Sequence, residues 1–299
     1  MEQVTLPNGL VVEAPSRGEA AFLFEEIFTG STYRRHGIEV SDGATVFDVG
    51  ANIGLFSAWL AQQRRDLRLV LFEPVPSTFA ILEHNARHLL GNADVTLRCA
   101  GLAATPGRLT LDVNPKWSLD AGVANRRLVA DARRAAGLRA WTRALVQDTQ
   151  RWGGIRPRTA RALDRALTGA LTGPPLLAVA SVLTAVSGAI RRKDVRQLDC
   201  PMTTVSAAMR DHDIPAIDLL KIDVEGAEWE VLKGIQDEDW PRIRQIVMEV
   251  HDVDGRLTRV CRLLEDKGFV AAAEAGDWEL LRLMGVHIVY ARRPGERGP

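Results

Sequence analysis

The chain has 299 residues, 46% of them hydrophobic and 25% charged, with 38 Lys and Arg balanced by 38 Asp and Glu. This composition excludes a disordered, collagen-like or low-complexity protein and predicts about two domains, or one large α/β domain with an insertion. The zero net charge hides two unlike parts: residues 112–199 hold 14 Arg and 2 Lys against 7 Asp and no Glu, a net of +9, and the remainder carries −9.

In chain order, residues 4–6 and 10–13 flank Pro7-Asn8-Gly9, a hairpin signal because Asn-Gly tolerates the positive φ of a tight turn. A helix is predicted over 19–28, then a loop around Gly30–Tyr33. Strand 45–49, helix 55–63, strand 68–72, helix 76–89 with Ser77 as its cap, and strand 95–100 follow. The alternation stops near Leu111 and resumes near Pro201. Helix 203–211, strand 218–223, helix 227–234, strand 245–251 and helix 257–267 come next, the last stopped by Gly268. Strands 270–274 and 286–292 close the chain. Seven strands alternating with helices predict a mostly parallel sheet covered on both faces. The expected organisation is an N-terminal cover over 1–44, a core made of 45–111 and 200–299, and a basic helical insertion over 112–199.

Cys99, Cys200 and Cys261 are an odd number with no C-x-x-C pair, so neither a disulfide framework nor a cysteine zinc site is supported, and a reducing compartment is expected. No basic region precedes an apolar core at the N-terminus, which is unlike a secretory signal. The apolar run 176–190 is shorter than the ~18–20 residues of a spanning helix. We expect a soluble cytoplasmic protein, with attachment to a membrane surface left open.

The strongest local signal is Asp48-Val49-Gly50-Ala51-Asn52-Ile53-Gly54, directly after a strand and opening a helix. Gly50 and Gly54 allow a tight turn, and the helix start offers unpaired N–H groups. G-x-G-x-x-G is absent, because Asn52 stands where a second glycine would approach a pyrophosphate. Asp48 would repel a diphosphate and suit an ammonium or sulfonium centre. Glu73 ends the next strand, placed to accept hydrogen bonds from two ribose hydroxyls. A nucleoside with a positive charge fits this set, and S-adenosylmethionine has that combination.

Two further clusters follow. In Leu219-Leu220-Lys221-Ile222-Asp223-Val224-Glu225-Gly226-Ala227-Glu228, Lys221 and Asp223 alternate with apolar residues and share a face near the carboxyl end of a strand. Glu225 and Glu228 begin the next helix, where carboxylates gain from its dipole; for Glu228 a simple helix-start role is sufficient. In Met248-Glu249-Val250-His251-Asp252, Glu249 and His251 share a face, and imidazole suits proton transfer near neutral pH. His251 reads equally as a base or as a positioning group.

VFDVGANIG, LFEP, DLLKIDVEGAE and MEVHD, in this order, resemble the FkbM family of S-adenosylmethionine-dependent methyltransferases; FLFEEIF with Tyr33 and MTTVSAAMRDHDIPAID resemble it too. The resemblance implies a seven-stranded Rossmann-like class I methyltransferase with S-adenosylmethionine as methyl donor. It implies transfer to oxygen in small-molecule or sugar biosynthesis; N- or C-methylation of a lipophilic or carrier-bound acceptor, or a non-catalytic donor-binding module, are the alternatives. On this reading Asp48, Gly50, Asn52 and Gly54 line the methionine part, and Glu73 and Pro74 hold the ribose. Ala100 and Gly101 approach the adenine, where related enzymes often place a Ser or Asp. Tyr33, Asp223, Glu225, Glu249 and His251 face the acceptor, Asp223 being also among the donor-binding residues; Asp223, Glu249, Lys221 and His251 are the catalytic candidates, with His251 or Asp223 as the base. No metal is expected, although Glu249, His251 and Asp252 are of ligating type.

In the insertion, Arg126, Arg127, Arg133, Arg134, Arg139, Arg143 and Arg151 recur as a basic stripe with Leu138, Trp141, Leu145 and Trp152 as apolar partners. A solvated helical lid is the plain reading. A docking surface for an acidic carrier protein and an anionic membrane surface over 126–193 compete with it, and nucleic acid ranks last, since no recognition motif is visible.

Overall fold

The computed structural model describes residues 1–30, 32–113, 140–144, 146–147, 158, 161 and 195–295. The N-terminal hairpin pairs β1 (Glu2–Thr5) with β2 (Val11–Ala14), and α1 (Arg17–Phe24) follows, capped by Ser16 Oγ, which accepts from the Glu19 N–H at 3.2 Å. The helix predicted over 19–28 therefore begins earlier, and its end widens into a π-turn over Glu25–Thr29. Buried Asn85 ties the hairpin to the body: its Oδ1 accepts from the Glu13 N–H, and its Nδ2 donates to the carbonyls of Glu13 and Ile53.

The alternating units are β3 (Thr45–Val49), α2 (Leu55–Ala61), β4 (Arg68–Phe72), α3 (Pro76–Leu89) and β5 (Asp94–Arg98). After β6 (Gly101–Leu102), β7 (Gly107–Val113) and β8 (Arg196–Thr203) come α4 (Val205–Asp211), β9 (Leu219–Ile222) and α5 (Glu228–Lys233). Then follow β10 (Gln245–His251), α6 (Arg256–Asp266), β11 (Val270–Ala275), α7 (Glu279–Leu283) and β12 (Val286–Arg292). Pro76 opens α3 behind an extended Val75, since its missing N–H is wasted nowhere else; Ser77 is therefore inside the helix and does not cap it.

Seven strands form one sheet in the order β11-β12-β10-β9-β3-β4-β5. From β10 to β5 every neighbouring pair is parallel, while β12 runs antiparallel to both β10 and β11. The expected Rossmann-like arrangement is thus present, with the chain reversing its direction of winding between β3 and β9. Alternate residues serve two cores. Val46, Leu69, Leu71, Leu219 and Val247 pack under α2, α3 and the N-terminal cover, whereas Phe47, Val70, Phe72, Leu220 and Met248 pack with α4, α5 and α6. Each fully buried Val, Leu or Phe contributes ~1.5–3 kcal/mol, which is why these strands read as continuous apolar runs.

A second sheet, β6-β8-β7, was not expected. β7 and β8 pair antiparallel from Gly107–Met202 to Val113–Arg196, so both ends of the Arg-rich stretch lie in strands. Leu111, Val113, Cys200 and Met202 form its small core with Val75. Outward charges, such as the ion pair of Arg108 with Asp199, and Pro201 in mid-strand conceal this pairing in the sequence. Within the insertion, residues 140–144 are helical, and Trp141 and Ala144 pack on Leu280 of α7. The rest of the basic stripe and the apolar run 176–190 lie outside the described residues.

Candidate active site

In a parallel sheet, the crevice where the winding reverses is open at the carboxyl ends of the strands, because the two neighbouring connections leave to opposite faces. Here those are the ends of β3 and β9, and two unusual loops meet there. Gly50 adopts φ +76°, and a Cβ on it would lie 1.7 Å from the carbonyl oxygen of Asp223, so only glycine allows the two backbones this approach. Asn52 and Glu225 hold left-handed conformations in the same loops. The N–H groups of Gly50 and Ala51 both donate to the Phe72 carbonyl, and the Asp223 N–H donates to Val49.

A cavity of about 460 Å³ opens above these loops, within the ~300–1,000 Å³ range of small-molecule sites. Gly50, Asn52, Glu73, Pro74, Gly101, Lys221, Asp223, Glu225 and Tyr33 all line it, as the sequence reading expected. Glu73 is buried; its Oε1 accepts from the Val75 N–H at 2.9 Å and its Oε2 from the Asn52 N–H at 3.1 Å. Burial raises its carboxyl to about 7, and those hydrogen bonds limit the rise. Each oxygen keeps a lone pair for a further donor.

Other expected residues stand elsewhere. Asp48 is fully buried and is not among the cavity-lining residues. The register places it beside Lys221, whose ammonium lies 3.2 Å from its Oδ1, while Ser57 Oγ donates to its Oδ2 at 2.8 Å. The reading of Asp48 as the partner of a ligand cation is corrected accordingly: its cation is Lys221. Gly54 opens α2 at φ +86°, where a Cβ would meet Leu82 at 2.8 Å, so it serves helix packing. Ala100 is buried behind Gly101 without lining the cavity.

Lys221 also donates to the Gly50 carbonyl at 2.9 Å and lies 3.6 Å from Asp223. Burial would lower its ammonium, but the charges of Asp48 and Asp223 outweigh that and push it up to about 12. It is a permanent cation that ties together the ends of β3 and β9. Among the catalytic candidates, its geometry is that of a positioning group.

Glu249 and His251 lie behind the cavity wall, on the same face of the sheet as Lys221. His251 Nδ1 is 2.9 Å from Glu228 Oε1, and its Nε2 lies 3.4 Å from Glu225 and 3.7 Å from Glu249. Arg256 fixes Glu228 from the other side at 2.7 Å. Burial alone would lower the imidazole, but hydrogen bonding to Glu225 and Glu228 carries it well above its ordinary value. An imidazolium between carboxylates has no lone pair for an incoming proton, so of the two readings of His251 the geometry favours positioning over base. Burial, reinforced by Asp223, raises the Glu249 carboxyl well above the ordinary range. Burial opposes ionisation of Glu228, yet the hydrogen bond with His251 lowers it. Glu225, Glu249 and His251 bring ligand-type atoms within 4.8 Å of one another.

Two residues were missed. Glu26, on the π-turn, reaches the cavity, and burial followed by the charge of Asp223 raises it to about 8. Nothing in its spacing separates it from Glu25; only the FLFEEIF string pointed to the segment. Glu228 was read as a helix start but is the buried anchor of His251. Tyr33 packs edge-on to Phe56 beside the cavity, with ring centroids 4.8 Å apart. The cover carrying Glu26 and Tyr33 is fastened by Arg35, which bonds both oxygens of Asp277 at 2.9 and 2.7 Å and Glu274 at 3.0 Å.

Comparison with known proteins matches residues 48–271 to the Methyltransferase FkbM domain. The chain belongs to the FkbM methyltransferase family. It is 37% identical to the 31-O-demethyl-FK506 methyltransferase FkbM of Streptomyces tacrolimicus, over 98% of this chain and 97% of that one. It is 30% identical to part of the AMB antimetabolite synthetase AmbE of Pseudomonas aeruginosa, over 98% of this chain but 12% of the synthetase. Methyltransferase sdnD of Sordaria araneosa is 29% identical over 89% of this chain and 88% of its own. An FkbM-family enzyme is an S-adenosylmethionine-dependent methyltransferase, and the donor supplies a methyl group on a sulfonium. The site suits that donor: its wall is rich in carboxyls, and a carboxyl with spare lone pairs stands at the end of β4. Among the described residues no helix is long and apolar enough to cross a membrane.

Proposed function

We propose that this FkbM-family enzyme methylates a hydroxyl group of a small molecule in secondary metabolism. The observation that carries this reading is Glu26, a carboxyl held near pH 8 on the cavity wall. A group with that pKa is matched to taking a proton from an alcohol at neutral to mildly basic pH. In the reaction the acceptor oxygen attacks the donor's methyl carbon in line, the O–C bond forms as the S–C bond breaks, and the hydroxyl proton passes to Glu26. Glu73 and Asn52 hold the ribose side, Gly50 and Asp223 the methionine side, and Tyr33 and Glu225 face the acceptor. Lys221 and His251 keep the anionic loops in place. The likeness to the 31-O-demethyl-FK506 methyltransferase of Streptomyces tacrolimicus supports an oxygen acceptor.

A carrier-delivered acceptor is the second reading, favoured by the likeness to a segment of the AmbE synthetase and by the net +9 of residues 112–199. The test is incubation with trideuteromethyl-labelled donor and panels of free and carrier-bound polyketide alcohols, followed by mass spectrometry and NMR of the product. An O-methyl ether is expected, with Glu26→Gln losing ~100-fold in turnover and keeping its affinity for S-adenosylhomocysteine. Methyl found on nitrogen or carbon, or full turnover by Glu26→Gln, would overturn the proposal.

A further inference from the structure

Methyl transfer by orientation and a carboxylate base does not account for the convergence of groups behind Glu225. Glu225 Oε2 and Glu249 Oε1 converge on His251 Nε2 at 3.4 and 3.7 Å, and the three ligand-type atoms lie within 4.8 Å of one another. Adjacent ligands of an octahedral cation with ~2.1 Å bonds stand ~3 Å apart, so a small inward movement would place all three on one ion.

The surroundings are those of a ligating histidine. Nδ1 is held by Glu228 Oε1 at 2.9 Å, and Arg256 holds the other oxygen of Glu228 at 2.7 Å. This fixes the ring and turns Nε2 toward the two carboxylates, as carboxylate–histidine–metal relays do. Glu249 is the second, separate observation. Its side chain is only 11% exposed, and among the described residues its carboxylate accepts no hydrogen bond; its nearest cationic atom is His251 Nε2. Mostly shielded from water and directed at the ring nitrogen, it is placed as a ligand beside Nε2. The acids grouped around this corner outnumber its cations, with Asp48, Asp223, Glu225, Glu228 and Glu249 against Lys221, Arg256 and His251.

We propose that Glu225, Glu249 and His251 bind one divalent cation of the Mn²⁺ and Mg²⁺ class, with Glu228 and Arg256 as positioning residues. Binding replaces the Nε2 proton by the metal and leaves Nδ1–H donating to Glu228, so one proton leaves as the ion enters. The role of the ion rests on the O-methyltransferase reading: beside Glu225 at the cavity, it polarises the acceptor hydroxyl as a Lewis acid and eases proton loss.

The full chain, stripped with EDTA and dialysed, is titrated with MnCl₂ while free Mn²⁺ is followed by electron paramagnetic resonance. S-adenosylhomocysteine affinity is measured by calorimetry on the same samples. One saturable Mn²⁺ per chain is expected, weakened at least ~10-fold by Glu249→Gln, His251→Gln and Glu228→Gln, with S-adenosylhomocysteine affinity kept within threefold. Glu225→Gln, at a more exposed position, provides the same reading should a buried variant fail to fold. No saturable Mn²⁺ in a chain that binds S-adenosylhomocysteine would overturn the cation site and leave the methyltransferase reading standing. So would Mn²⁺ binding untouched by Glu225→Gln and Glu249→Gln. Mn²⁺ binding without S-adenosylhomocysteine binding would support the site and count against the O-methyltransferase role.

Discussion

Replacing Lys221 by Met removes the charge that joins β3 to β9 while keeping the length of the side chain. The Lys221 side chain is 4% exposed, with Asp48 Oδ1 at 3.2 Å and Asp223 at 3.6 Å, and it contacts the Phe56 ring at 5.8 Å from the centroid. Asp48 is fully buried, so in Lys221→Met its carboxylate keeps, among the described residues, only the Ser57 hydroxyl. Removing one partner of a buried ion pair costs ~3–5 kcal/mol, because the other charge stays desolvated and unpaired. At ~2–4 °C per kcal/mol for a domain of ~150–250 residues, the unfolding midpoint should fall by ~6–20 °C. Asp48→Asn with Lys221→Met removes both charges and should recover more than half of that loss. The assay is calorimetric unfolding at neutral pH of the wild type, both single variants and the double variant. A Lys221→Met midpoint within ~2 °C of wild type, or a double variant no better than the single, would refute the buried-pair argument.

Gly50→Ala places a methyl group 1.7 Å from the Asp223 carbonyl at φ +76°, so the loops after β3 and β9 must separate; calorimetry should find S-adenosylhomocysteine binding abolished, and affinity within threefold of wild type would disprove the close-approach argument. Glu73→Ala should weaken S-adenosylhomocysteine ~10–100-fold, since hydrogen bonds to a charged group are worth ~1.5–3 kcal/mol; an unchanged dissociation constant would remove Glu73 from the donor site. Glu26 and Glu73 have native values of about 8 and about 7 against an ordinary 4.5, so the folded chain binds protons that the unfolded chain has released. Stability from these groups is fully present below 4.5 and is lost as pH rises through about 7 to 8. Glu26 faces the charges of Asp223, Glu225, Asp277 and Lys221, and only Lys221 opposes its rise. The midpoint should therefore fall between pH 6 and 8.5, less steeply in Glu26→Gln; an equal slope in that variant would show that Glu26 is not the titrating group.

Much of the sheet was readable because strand parity is local. Val46 and Phe47 feed opposite cores, and the same alternation puts Lys221 with Asp223 and Glu249 with His251 on one face each. β7 and β8 escaped because their pairing joins residues about ninety positions apart and presents charges outward. Gly50, Asn52, Glu73 and Asp223 line the cavity for a related reason: each lies in the loop just after a strand, and these loops meet at the reversal of a parallel sheet.

Roles were harder than places. Asp48 and Glu73 both follow apolar strand residues, yet one is sealed beneath Lys221 and the other lines the cavity. His251 has the chemistry of a base, but Glu228 and Arg256, from the helices that follow β9 and β10, convert it to a clamped cation. Glu26 looks like any helix-end acid until the cover lays it against Asp223. Order of strands, the glycine turn and the donor class are written in neighbouring residues, whose spacing and backbone preferences act over a few positions. Protonation and the division of labour among the acids belong to the folded chain alone, since they depend on desolvation and on charges brought together from distant segments.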